Sequence, residues 1–295
     1  CLAESLIRYP DFNPIDLRVR FLNWWDFGYR NAFGYDELKH SIGLGGCIGS
    51  SFTEFASNQS EYTKAGDKYT SGNGSIMRLA PVPVRYYQDM EKALDIAYKQ
   101  SKTTHQGEEA AECCRLMTFI IVSFINCDEN MSSEEKKHLV FDSVKENFTS
   151  NLYSIQCLAN SCDEEEHPTN QMLPLEDRKW NWKSPEFRYC ESRAARNSSY
   201  IGSYCMDGLA MALHCVWHTE SFREAILKVV NLGGDADTVG AIAGQIAGSL
   251  YGIHQIPASW IQTIQQWDNN GDAALTGVYL YHGFLEEVHN STCME

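Results

Sequence analysis

A chain of 295 residues with 43% hydrophobic content can bury one large core or two small ones. Its formal net charge of -15 argues against nucleic acid or an anionic membrane surface as a main partner. An anionic nucleotide would have to be held by local N–H groups, a few cations or bound metal.

Eleven cysteines at irregular spacings, with no CxxC, indicate neither a zinc site nor a disulfide framework. Reduced, mostly buried thiols in an intracellular, cytoplasmic protein are expected instead. The chain opens within an amphipathic helical pattern, CLAESLIRY, which Pro10 stops. Phe21–Tyr35 is aromatic and punctuated by turns, and Trp24, Trp25 and Tyr29 are expected in core packing. Ser41–Ser51 leads into a further helix. Its GLGGCIG has no Val/Ile-rich strand before it and no βαβ pattern after it, so the dinucleotide fingerprint is rejected.

Thr70–Tyr87 reads TSGNGSIMRLAPVPVRYY. Ser71-Gly72-Asn73-Gly74-Ser75 has the composition of a tight loop; most such loops are turns, and some cradle phosphate where several N–H groups converge. Met90–Gln100 reads as a helix, and Thr104-His105-Gln106 precedes another over Gly107–Ile125. A lone His ahead of a helix is usually structural or exposed, and the sequence shows no partner for His105. Ser132–Asn147 is amphipathic, with Ser132 or Ser133 as its cap.

Residues 150–198 are polar and read as a long irregular connection packed over the domain, with the run Asp163–Glu166 as a solvated face. Helices resume over Gly202–Thr219 and Ser221–Asn231 and lead into NLGGDADTVGAIAGQIAGSLYG, Asn231–Gly252. Gly240, Gly244, Gly248 and Gly252 recur on one helical face. Each glycine inside a helix costs about 1 kcal/mol against alanine, and close backbone approach of another helix is the simplest reason for them. Ahead of them stand Asp235, Asp237 and Thr238. The local reading makes Asp237 an N-cap and Asp235 a turn residue. The alternative makes the carboxylates and the hydroxyl oxygen ligands of a hard cation, which relieves their repulsion. Pro257 begins a helix over Ala258–Trp267, and a last amphipathic piece ends near His289. No strand alternation, internal repeat, flexible linker or bilayer-length apolar run appears, so the class is mainly α.

Taken in order, SGNGSIMRLAPVPV, TTH before a helix, IGSYCMDGLAMALHCVW, AILKVVNLGGDADTVGAIAGQIAGSLYG and IPASW resemble the ADP-ribosylglycohydrolase family over nearly the whole chain. The family includes the dinitrogenase-reductase-activating type of ADP-ribosyl-protein hydrolase. The GGDxDTxGAIAG pattern is the specific element; WWDFGYRNAFGY and HSIGLGG support it. The resemblance implies an all-α, single-domain orthogonal helical bundle with a pair of Mg²⁺ ions in a cleft. It implies cleavage of the glycosidic bond that joins ADP-ribose to a protein side chain, or action on a related small ADP-ribose conjugate. Asp235, Asp237 and Thr238 match the family's C-terminal metal ligands. Lys68, Tyr69, Thr70, Ser71, Gly72, Asn73 and Gly74 match the loop that wraps the diphosphate and distal ribose, and His105 matches a diphosphate contact. Cleavage at a ribosyl C1 builds oxocarbenium-like charge, for which metal-held hydroxyls, an oriented water and a carboxylate are the natural equipment. The resemblance puts the remaining metal ligands in a Thr-Asp-Asp segment upstream of Cys1, with an acidic flap before it. The catalytic residue is likewise expected upstream of Cys1, and an N-terminal helix and that segment are expected to lie outside this sequence. A catalytically inactive ADP-ribose-binding or structural relative is the alternative. A monomer acting on an ADP-ribosylated protein is expected, with neither nucleic acid nor membrane as partner.

Overall fold

Two segments that are largely apolar become the central helices, because a helix with little polar surface has to be enclosed. The computed structural model describes residues 1–31, 40–167, 174–188, 202–268 and 270–292. Its helices in order are α1 (Leu2–Arg8), α2 (Pro14–Phe27), α3 (Gly46–Asn58), α4 (Pro81–Arg85), α5 (Met90–Lys102), α6 (Glu108–Ile125) and α7 (Ser133–Asn147). They continue as α8 (Tyr153–Asn160), α9 (Cys205–Trp217), α10 (Phe222–Val230), α11 (Ala236–Tyr251), α12 (Ala258–Gln265) and α13 (Asp272–Thr292). Single 3₁₀ turns occupy Asn73–Ser75, Leu175–Asp177 and Ile253–Gln255. Among the described residues the one β feature is a bridge between Gly72 and Tyr204, so the all-α expectation holds.

The enclosed pair is α6 and α9, buried along nearly their whole lengths. Around α6 pack α4, α5, α7, α8, α9 and α11, and α11 lies in turn against α9 and α10. Phe141 of α7 and Trp217 of α9 meet Trp182 at ring separations of 4.9 and 6.1 Å, which draws the segment 180–187 onto the bundle. Boundaries follow local chemistry. Asn13 accepts from the Asp16 N–H ahead of Pro14, and Gly28 ends α2 in the left-handed conformation at φ 66°. Ser132 and Glu135 form a reciprocal capping box at α7. Buried Arg18 binds the Ser51 carbonyl at 2.8 Å, while the Ser51 hydroxyl reaches the Thr103 carbonyl, tying α2 and α3 to the end of α5. Among the described residues no helix is long and apolar enough to cross a membrane.

Four expectations change. Tyr29 is exposed and donates to Glu4 at 2.9 Å; only Trp24 and Trp25 pack, half-buried, against the core. The stretch 150–198 is not wholly irregular, since Tyr153–Asn160 is helical; its parts 168–173 and 189–198 lie outside the described residues, as do 32–35 of the aromatic segment. The acidic run is not a uniformly solvated face: Glu164 is buried, paired with Arg178 at 2.8 Å and bound by the Trp180 indole at 2.7 Å. Only Gly240 and Gly244 of the glycine row lie against a neighbouring helix, α10, where a Cβ on Gly244 would meet the Ile226 side chain at 3.8 Å. A Cβ on Gly240 would meet the Val230 side chain at 3.1 Å, Gly248 faces open space, and Gly252 caps α11 at φ 74°.

Candidate functional site

The Gly-rich loop is pinned from two sides. Its first part is an Asp67-centred turn in which Asp67 accepts from the Tyr69 N–H at 2.9 Å, while Thr70 Oγ1 accepts from the Asp67 N–H at 2.8 Å. Lys68 is exposed, with its ammonium 4.7 Å from the centre of the Tyr69 ring. The N–H groups of Gly107 and Glu108, at the start of α6, donate to the carbonyls of Thr70 and Lys68. Gly107 has no room for a side chain, because a Cβ there would sit 2.6 Å from the Thr70 carbonyl carbon. On the other side Asn73 N–H donates to Ser203 O at 2.9 Å and Cys205 N–H to Ser71 O at 3.1 Å. One loop N–H of the SGNG segment is thus already used. The Ser71 hydroxyl is buried without a hydrogen-bond partner, a polar atom turned inward that a ligand or water would satisfy.

The acidic turn reaches this loop through one side chain. Gly233 and Gly234 adopt φ of 80° and 66°, a left-handed pair that only glycine takes readily, and they deliver Asp235 to the start of α11. Asp235 occupies the N-cap position but its side chain makes no capping bond. It accepts instead from Asn73 Nδ2 at 2.5 Å, and the same amide donates to Gly202 O at 2.6 Å. The local capping reading, with Asp237 as the cap, is therefore corrected: Asp237 lies inside the first helical turn, exposed, with Thr238 half-buried beside it. A carboxylate not spent on capping, a second one nearby and a hydroxyl are hard oxygen donors and fit Mg²⁺ in kind. They supply only part of a coordination shell, and among the described residues no three His, Cys, Asp or Glu gather closely enough to hold a metal.

His105 closes the third side. It is 1% exposed, and a Cβ on Gly74 or Gly72 would come within 3.3 and 3.4 Å of its Nε2. Both glycines leave space for the imidazole. Burial, then the nearby Arg78 guanidinium, push its pKa down to about 3, so the ring is neutral. Its other nitrogen, Nδ1, lies 2.8 Å from Thr104 Oγ1, the partner that the sequence did not reveal.

Sequence reasoning also missed a buried polar cluster behind the loop. Tyr204 donates its phenol hydrogen to Glu109, which also takes Ser154 Oγ at 2.8 Å and Arg178 at 3.4 Å. Burial, then the Glu109 charge, keep the Tyr204 phenol protonated far beyond its usual range. No local sequence pattern marks Tyr204 for this role, because its bridge to Gly72 forms only in the folded chain.

This all-helical architecture is shared with a solved ADP-ribosylglycohydrolase-related protein complex, at a TM-score of 0.64 and 25% identity, over 96% of this chain and 78% of that one. Residues 1–287 match the family model described as ADP-ribosylglycohydrolase, and the chain belongs to that family. An ADP-ribosylarginine hydrolase, Tri1, from Serratia proteamaculans is 26% identical over 93% of this chain and 63% of its own length. The ADP-ribosylhydrolase ARH3 of Gallus gallus is 24% identical over 90% of this chain and 71% of its own. The chain spans less than two thirds of the length of the Serratia relative.

Proposed function

We propose that this chain forms the ligand-holding helical domain of a Mg²⁺-dependent hydrolase that releases ADP-ribose from modified protein side chains or from a related small conjugate. It acts as a monomer in this reading. The observation that carries it is the Asn73–Asp235 hydrogen bond, which joins the Gly-rich loop to the acidic turn in one site. The loop 68–74 holds the diphosphate and distal ribose, with the orphaned Ser71 hydroxyl inside it and His105 beneath it. Asp235, Asp237 and Thr238 are the residues that would hold Mg²⁺, which supplies Lewis-acid stabilisation of ribose hydroxyls as charge develops at C1. Asn73 orients the Asp235 carboxylate for that task. Such a cation would also offset a net charge of -15 that otherwise repels an anionic ligand.

The test is release of ADP-ribose from an ADP-ribosylated protein, with arginine-linked ADP-ribose tried first because the Serratia relative is named for it. The protein carrying Asp235→Ala and Asp237→Ala should lose Mg²⁺-dependent release by at least about a hundredfold, the scale on which electrostatic stabilisers act. Turnover equal to wild type overturns the metal role. The rival reading, a non-hydrolytic ADP-ribose-binding relative, draws on the incomplete donor set among the described residues. Calorimetric binding of ADP-ribose with no turnover on any linkage would favour it.

A further inference from the structure

The hydrogen bonds behind His105 decide which ring nitrogen carries its hydrogen. Arg78 Nη2 donates to Thr104 Oγ1 at 2.8 Å, and the same oxygen lies 2.8 Å from His105 Nδ1. A guanidinium only donates, so Thr104 is the acceptor in the first bond. The single hydroxyl hydrogen of Thr104, a residue 1% exposed, then has His105 Nδ1 as its acceptor among the described residues. A neutral imidazole that accepts at Nδ1 holds its hydrogen at Nε2. That nitrogen is the one beside Gly72 and Gly74. Arg78 cannot turn away, because its Nε donates to Gln100 Oε1 at 3.1 Å, its Nη2 also reaches Gln100 O, and its guanidinium lies 4.5 Å from the centre of the Phe21 ring. The same Gln100 donates to Ser75 O, so the clamp and the loop move as one body.

We propose that Arg78 and Thr104 are positioning residues that lock His105 as the Nε2–H tautomer, aiming a neutral N–H donor at an anionic phosphate oxygen seated on the Gly72–Gly74 loop. The ligand class rests on the ADP-ribose reading; the tautomer does not. A donor that stays neutral and keeps one orientation loses no proton to the ligand and needs no reorganisation when the anion arrives. Arg78 makes no ion pair among the described residues, so its positive charge adds to the attraction.

Histidine-selective ¹⁵N labelling of the protein and a long-range ¹H–¹⁵N correlation read the tautomer without ligand or activity. A protonated Nε2 and a bare Nδ1 at His105 are expected; a protonated Nδ1 overturns the proposal. Thr104→Val, which keeps shape and removes the hydroxyl, should mix the two tautomers. It should also weaken ADP-ribose binding in calorimetry about tenfold, the effect of one misplaced hydrogen bond to a charged group. Thr104→Ser should restore both readouts. Arg78→Met frees the Thr104 oxygen to accept from Nδ1–H and should mix the tautomers as well, whereas Arg78→Lys should preserve the wild-type signature. An unaltered tautomer in Thr104→Val and Arg78→Met would also overturn the proposal. Should the wild-type protein show the Nε2–H signature yet bind no ADP-ribose, the ligand reading fails while the positioning of His105 stands.

Discussion

The two amide hydrogens of Asn73 go to oxygens 129 and 162 residues further along the chain, on Gly202 and Asp235. Removing them with Asn73→Ala leaves a half-buried carboxylate short of a donor. A hydrogen bond to a charged group contributes about 1.5–3 kcal/mol, so a loss of that size in the urea-unfolding free energy is expected. Asn73→Asp sets a second carboxylate against Asp235 and should be worse than alanine near pH 7. An aspartate variant as stable as alanine would show that the contact is not formed. SGNG and GGDADT are each visible as local patterns in the sequence. Their union is not, because nothing local marks a hydrogen bond across that separation. Glu164 shows the same limit in reverse: within an acidic run it reads as solvated, and only Arg178 and the Trp180 indole explain its burial.

Helices were the legible scale. Periodicity and caps located α5, α6, α7, α9, α10 and α11 to within a few residues, because those signals are carried by neighbours on the same helix. What the helices touch was less legible, and α11 shows why. Its glycine spacing suggests one purpose, yet only Gly240 and Gly244 face α10, while Gly248 meets open space and Gly252 ends the helix. Gly248 has nothing within 4 Å of a built Cβ, so Gly248→Ala should stabilise the protein by about 1 kcal/mol through helix propensity alone. At Gly240 the same gain is set against the Val230 methyl at 3.1 Å, and Gly240→Ala should be close to neutral or destabilising. Denaturant midpoints of the two variants make the comparison. Equal stabilisation by both would mean that α10 and α11 are packed less closely at Gly240 than this contact requires.

At the scale of the molecule, two buried imidazoles set the response to acid. His105 is held near 3 by burial and then Arg78, and His214 near 4 chiefly by burial, against an ordinary value of 6.5. Both are neutral when folded and take up a proton on unfolding. Below about pH 6.5 the unfolded chain therefore binds more protons, and stability falls as pH falls. By about pH 5 each ring accounts for roughly 2 kcal/mol. Glu4, Glu54 and Glu108, where the upward push of burial is outweighed by hydrogen-bonding and cationic partners, lie below 4.5 and act only in stronger acid. Unfolding free energies measured from about pH 7 down to about pH 5 should drop steeply, and His214→Gln should flatten the curve. A level profile would mean that these rings are hydrated in the folded protein.

The long reach of Asn73 has a kinetic corollary. Closing a chain segment of 162 residues is among the slower and entropically costlier events open to this fold, whereas individual helices form early. Helical circular dichroism should consequently recover during refolding before any capacity to bind ADP-ribose returns. Competence for the ligand then serves as a late marker that the last distant pieces have met.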